Sequence, residues 1–229
     1  MIKEHIVIAG VAVEVWRKSV KNFILVVYAS DGRVRLSVPL GASAASIREV
    51  IMSRMDWIRA RQRSSRARPV VAEPLMEDGA EHLFFGKAYP LRIREGKGRH
   101  ELCFDRNLGI VLRVRPGSTA AARRRLLDRW YRAELSHRIQ ALLHTWQPIV
   151  GREAAEYRIK RMKTRWGTCN VLARRLWLNL KLVTLPEQCL ELIVVHELVH
   201  LLEREHNEIF YGHMDRLLPD WRRRNELLK

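Results

Sequence analysis

The sequence predicts an α+β protein, β-rich in its N-terminal region and helical towards its C-terminal end. Two periodicities carry this. Residues 5–40 and 82–114 alternate apolar and polar positions in short runs bounded by Gly, Asn and Asp, as half-buried strands do. Residues 44–63 and 119–146 place apolar side chains three and four apart, the spacing of one helix face.

In chain order, the runs 5–15, 23–28 and 34–38 read as an antiparallel meander, with a turn at Ser30-Asp31-Gly32. Ile47, Val50, Ile51, Met55 and Ile58 share one face of a predicted helix over 44–63, for which Ser43 or Ser46 can serve as N-cap. That helix ends in an arginine cluster (Arg59, Arg61, Arg63, Arg66, Arg68), and Pro69 and Pro74 bracket a linker. Strands are expected at 82–85, 89–94, 101–104 and 109–114, closed by Pro116-Gly117-Ser118. A long helix over 119–146 follows, with Leu126, Leu127, Trp130, Leu135, Ile139, Leu142 and Leu143 as its core stripe. The domain boundary is placed near residue 118, dividing 1–118 from 119–229. Beyond it the pattern reads strand 157–162, tight turn at Trp166-Gly167, strand 175–180, a helix over 186–203 opened by Pro186, and a last helix over 207–218 capped by Asn207.

The chain has 229 residues, 47% hydrophobic and 29% charged, enough for a real core and unlike a disordered segment. No apolar run reaches the roughly 18 residues of a membrane span, and the first residues lack the layout of a signal peptide, so a cytoplasmic protein without a membrane partner is expected. Cys103, Cys169 and Cys189 are odd in number and lack CxxC spacing, which argues against disulfides and a cysteine-based zinc site. A net charge of +17 favours anionic partners. Nucleic acid is one such partner, not favoured because no basic stretch is interleaved with aromatics.

The chemistry is concentrated in VVHELVHLLEREH. His196 and His200 are four residues apart and so lie about 40° apart on a helix, where both imidazoles reach one cation. Glu197 between them suits a general base acting on a metal-activated water. The flanking Leu192 to Val195 and Leu198, Val199, Leu201 and Leu202 make this a buried helix, where His and Glu are costly unless paired or coordinated. His206 follows His200 by six residues and would point about 240° away on an unbroken helix, so the helix must end near 203–205. His206 is preferred as third ligand because imidazole suits zinc and Asn207 marks a new helix start; Glu203, Glu205 and His213 are the alternatives. Arg161, Lys163 and Arg165 fall at period two and would share one strand face as an anion site. Arg165, Trp166 and Gly167 are candidate substrate-binding residues beside the cleft, Gly167 for close backbone approach and Trp166 equally as a core anchor. Cys169 reads as a small buried residue rather than a nucleophile.

KTRWGTC (163–169), LWLNLKLVTLP (176–186), VVHELVHL (194–201) and HNEIFYGHMDRLLPDW (206–221) resemble the YgjP-like metal-dependent hydrolases, relatives of the HExxH metallopeptidases. VRLSVPLGASAASIREVI and MDWIRAR extend the resemblance over most of the chain. It implies a zincin-like C-terminal domain of minimal gluzincin type behind a β-rich N-terminal region, Zn²⁺ as cofactor and His206 as third ligand. The histidine spacing also equals that of the metzincins, but Glu203 stands where their helix-ending glycine would fall.

Three functions are open to such a chain. The first is a zinc metallopeptidase with Glu197 as general base. The second is a metal-dependent hydrolase of an anionic substrate such as a nucleoside triphosphate, with Arg161, Lys163 and Arg165 neutralising phosphate. The third is a basic nucleic-acid-binding module with structural zinc, for which the usual four protein ligands are lacking.

Overall fold

The structure is a computed structural model that describes residues 2–28, 31–67 and 74–228. Ser30 and the linker expected around Pro69 lie outside the described residues. The chain forms two compact units, Met1–Ala72 and Glu73–Lys229, each with its own apolar core.

The first unit holds β1 (Ile2–Ile8), β2 (Val11–Lys18), β3 (Ile24–Val27) and β4 (Val34–Pro39) in one sheet of order β1-β2-β4-β3. The run 5–15 is broken by a two-residue turn at Ala9 and Gly10, both with positive φ, which makes β1 and β2 a tight hairpin. The expected meander is instead a mixed sheet, because β2 pairs parallel with β4 from Val13↔Val34 to Lys18↔Pro39. At the β3–β4 turn the Gly32 amide donates to Tyr28 O at 2.8 Å, as the Asp31-Gly32 signal suggests. The helix expected over 44–63 is two: α1 (Ala44–Ser53), capped by Ser43, and α2 (Met55–Ala67), separated at Arg54, whose φ of −111° and ψ of 10° leave the helical region. Val13, Val15, Leu36, Ile51 and Ile58 are fully buried between sheet and helices.

In the second unit β5 (Glu81–Phe84), β6 (Lys87–Glu95), β7 (Glu101–Asp105) and β8 (Gly109–Val114) form a sheet of order β5-β6-β8-β7. The helix α3 (Ala120–Val150) starts at the N-cap Thr119 and ends on Gly151, in the left-handed conformation that favours glycine at this position. A second sheet, of order β10-β11-β9, contains β9 (Glu156–Lys160), β10 (Gly167–Asn170) and β11 (Arg175–Asn179). It is followed by a 3₁₀ turn (Leu180–Thr184) and the helices α4 (Glu187–Val199), α5 (Glu208–Leu217) and α6 (Trp221–Glu226).

The units divide between Ala72 and Glu73, whereas the sequence reading divided the chain near 118. The difference arises because Phe84, Leu91, Ile110, Leu112 and Val114 of the first of these sheets pack in the same core as Leu127, Leu135, Leu178 and Leu198. The Phe85 amide also donates to Val183 O at 2.7 Å, joining the end of β5 to the 3₁₀ turn. Among the described residues no helix is long and apolar enough to cross a membrane.

Candidate metal centre

The helix α4 carries nine buried residues, and among them is Glu197, only 4% exposed. It ends at Val199, earlier than the periodicity suggests, with His200 as its cap. Leu201 N to Leu198 O at 2.9 Å, Leu202 N to Val199 O at 2.8 Å and Glu203 N to Val199 O at 2.9 Å wind the chain into a tight turn without a glycine. Asn207 then caps α5, its side chain accepting from the Phe210 amide at 3.0 Å. This break brings His206 back towards the helix it follows.

The consequence is a three-histidine cluster in which one nitrogen from each of His196, His200 and His206 lies within 4.8 Å of the others. Glu203, Glu205 and His213 do not join it. His206 Nε2 sits 3.0 Å from His196 Nε2, so the two nitrogens cannot both carry a hydrogen towards each other. His200 Nδ1 donates to Glu203 O at 3.2 Å, which leaves its Nε2 bare for a cation. Burial, with the neighbouring His200 and His206 in support, pushes the His196 pKa down to about 3. Burial also depresses His200. Neutral imidazoles are the form that binds metal. Ligands at about 2.1 Å from a tetrahedral zinc stand roughly 3.4 Å apart, a separation that the His196–His206 pair at 3.0 Å approaches, and an all-imidazole donor set suits that ion.

Phe210, 1% exposed, lies under all three imidazoles, its ring centroid 4.9, 4.8 and 4.7 Å from those of His196, His200 and His206. Tyr211 stacks against both His206, at 6.4 Å, and Trp221, at 5.6 Å. Phe210 and Tyr211 lie in the segment that the sequence reading places on the last helix without giving their rings a role.

Burial raises the Glu197 pKa to about 8, against the lowering effect of the Arg165 charge, and its Oε2 is buried without a hydrogen-bond partner. An orphaned carboxylate oxygen is expensive in a core and is characteristic of a site that a ligand completes. The backbone of β10 passes directly over it: a Cβ built on Gly167 would meet Glu197 Oε1 at 2.5 Å and Ile193 Cγ2 at 2.8 Å. Only glycine allows this approach. Cys169, on the same strand, is pushed up to about 11 by burial and by the Glu197 charge, so it is a thiol and a poor nucleophile.

The cluster and Glu197 open into a cleft of about 1,020 Å³ lined by Arg165, Trp166 and Gly167 on one side and by Arg204, Tyr211 and Trp221 elsewhere. β10 is an edge strand, paired only with β11 on its other side. Arg161 and Lys163 do not line this cleft. β9 ends at Lys160, so Arg161, Lys163 and Arg165 do not share a strand face. Arg161 Nη2 instead pairs with Asp128 Oδ1 at 2.6 Å. The segment 162–166 is a loop pinned by Asn179, 3% exposed. The Asn179 amide nitrogen Nδ2 donates to Met162 O at 3.0 Å and Arg165 O at 2.8 Å, and its Oδ1 accepts from Met162 N at 3.2 Å. Trp166 is half-buried and packs against the main core while also lining the cleft.

The family model described as YgjP-like, metallopeptidase domain, matches residues 21–229. No curated protein matches. Among solved structures, the crystal structure of the metallopeptidase zymogen abylysin of Pyrococcus abyssi is similar at 23% identity, over 39% of this chain and 87% of that one, with a TM-score of 0.35.

Proposed function

Since a match over residues 21–229 makes this chain a member of the YgjP-like family, we propose that it is a zinc-dependent peptidase, with His196, His200 and His206 as ligands and Glu197 as general base. The observation that carries this is the pairing of three convergent imidazole nitrogens with an orphaned, buried carboxylate at the floor of an open cleft.

Zinc bound by three imidazoles would supply a Lewis acid and a water of lowered pKa at its fourth position. Everything else falls to the chain. Glu197, held against Gly167, would accept a proton at its carboxylate from the attacking water and pass it to the departing amine, so that a peptide C–N bond is replaced by a carboxylate and an ammonium. The free edge of β10 offers backbone donors and acceptors to an extended substrate, which would align as an added strand. Arg165, Trp166 and Gly167 line the cleft and are the substrate-binding residues of this reading.

Hydrolysis of a nucleoside triphosphate drew its appeal from three cations acting together, and of Arg161, Lys163 and Arg165 only Arg165 lines the cleft. A purely structural zinc leaves the orphaned Glu197 oxygen without a role. The test is cleavage of a mixed peptide library by protein purified without a histidine tag and loaded with zinc. Cleavage that disappears with a chelator and in Glu197→Gln supports the reading. Release of pyrophosphate from nucleotides without peptide cleavage would overturn it.

A further inference from the structure

The sheet of the first unit has two faces. Val13, Val15, Leu36 and Val38 point into the core under α1 and α2, and the alternate residues form the other face. The registers align that second face in rows running β1-β2-β4-β3: Lys3, Trp16, Ser37 and Ile24 in one, His5, Glu14, Arg35 and Val26 in the next. Tyr28 follows β3 and shares Arg35 with this face.

Cations gather over the two aromatic rings. Lys3 Nζ, Lys18 Nζ and the Arg35 guanidinium lie 4.7, 4.6 and 4.6 Å from the Trp16 ring centroid. The Arg35 and Arg33 guanidiniums lie 5.3 and 5.2 Å from the Tyr28 ring. Arg33 is partly neutralised by Asp31 at 2.7 Å and Glu14 at 3.5 Å. Lys3, Lys18 and Arg35 have no carboxylate partner among the described residues, and Arg35 Nε is buried without a hydrogen bond. Such clustering of like charge on a sheet face is unfavourable unless something of opposite charge completes it.

We infer that this face is a binding surface for single-stranded nucleic acid, separate from the peptidase site, in which Lys3, Lys18 and Arg35 contact phosphates and Trp16 and Tyr28 stack on unpaired bases. Aromatic rings on an open sheet, surrounded by cations that follow a backbone, suit splayed bases and exposed phosphates. A duplex keeps its bases stacked and offers nothing to the rings. The chain's net charge of +17 adds a long-range attraction for the same partner.

The experiment measures binding of the full chain to a fluorescein-labelled 15-nucleotide mixed-sequence RNA by anisotropy, over a range of salt. A 15-base-pair duplex and phosphatidylserine vesicles are run alongside. The single strand is expected to bind more tightly than the duplex, with affinity falling steeply with salt. Lys3→Glu with Lys18→Glu should weaken it at least about tenfold and flatten the salt slope by roughly 0.7 per cation removed. Trp16→Phe, which keeps an aromatic ring on this face but a smaller one, should weaken it severalfold through poorer stacking. Arg94→Glu with Lys97→Glu, basic residues of the second unit, should leave it within twofold. Peptide cleavage should be unchanged in every variant and so reports their folding. If the lysine pair fails to fold, Trp16→Phe and the duplex comparison decide. Absence of RNA binding overturns the inference. So do equal loss in the Arg94/Lys97 control, a preference for duplex, or binding to vesicles in place of RNA.

Discussion

Gly167 and Glu197 are in such close contact that one added methyl group would have to move the carboxylate. A Cβ at residue 167 would stand 2.5 Å from Glu197 Oε1, 2.9 Å from its Cγ and 2.8 Å from Ile193 Cγ2. Rotating the carboxylate tip alone does not relieve the contacts with Cγ and with Ile193. Gly167→Ala should therefore keep its zinc, because the histidines are untouched, and lose about 10- to 100-fold in kcat, the scale for a displaced catalytic group. Overpacking should also reduce stability by about 1–3 kcal/mol. Metal analysis beside kcat checks this: a variant with full zinc and full kcat would mean that Glu197 does not need its present position.

His196→Ala, His200→Ala and His206→Ala should each lower zinc content, whereas Glu197→Gln should retain zinc and lose turnover. The reason is that the three imidazole nitrogens converge within 4.8 Å and the carboxylate does not belong to that group. Phe210→Leu should weaken zinc binding by about 10- to 100-fold without touching the ion, since the ring supports all three imidazoles and such supporting contacts have effects of that order. Competition with a chelator of known affinity measures it. Stoichiometric zinc in His206→Ala would transfer the third ligand to Glu203, Glu205 or His213.

The parts of this protein that were legible in its sequence are those written at short range. His196 and Glu197 lie on one helix that His200 caps, and Asn207 caps the next. Spacing therefore predicts the first two ligands, whereas His206 needs the helix break that Asn207 signals and is only preferred over Glu203, Glu205 and His213. The strands and helices were legible as periods. What periods do not carry is pairing: β2 beside β4, Phe84 in one core with Leu198, or Arg161 turned to Asp128 instead of to the cleft. For the same reason the two compact units divide at 72–73 and not near 118, because the strands before Pro116-Gly117-Ser118 and the helix after it share one core. The cationic face of the first sheet was equally hidden, because Lys3, Trp16, Tyr28 and Arg35 come together only through register.

Asn179 tests the loop that carries Arg165 and Trp166. Its amide meets two carbonyl oxygens, Met162 O and Arg165 O, and its carbonyl accepts the Met162 and Lys181 amides. Asn179→Asp keeps the shape and the acceptor but turns a carboxylate towards two carbonyls. It should lower stability by about 1–3 kcal/mol, the scale for leaving buried polar groups unsatisfied, and raise KM as the loop loosens. An unchanged melting temperature would show that the loop is held by other contacts.

Arg165 and Lys163, equivalent in the sequence pattern, should now behave differently. Arg165 lines the cleft and its charge reaches Glu197, whereas Lys163 lies outside it. With peptides carrying Asp or Glu beside the cleaved bond, Arg165→Ala should raise KM about two- to fivefold, the range for an exposed charge pair. Salt should have the same effect on the wild type. Lys163→Ala should match the wild type, and equal effects of the two substitutions would mean a diffuse field rather than a contact.

His82 sets a pH dependence of stability that is independent of the metal. It is 2% exposed and its Nε2 donates to Leu75 O at 3.0 Å. Burial lowers its pKa, helped by the Arg124 charge and opposed by the bond to Leu75. The folded protein therefore holds His82 neutral at a pH where the unfolded chain, with an ordinary value of about 6.5, already takes up a proton. The unfolded state binds more protons below that value, so the stability from this group is complete above about pH 6.5 and falls as the pH drops towards the lowered folded value. The slope reaches at most about 1.4 kcal/mol per pH unit. His82→Gln preserves a donor for Leu75 O and removes the titration. Melting of the zinc-loaded proteins at pH 7.5 and 5.0 should show a larger drop in the wild type than in the variant. Equal drops would mean that residue 82 does not sense pH and that other groups, buried His196 and His200 among them, account for the acid sensitivity.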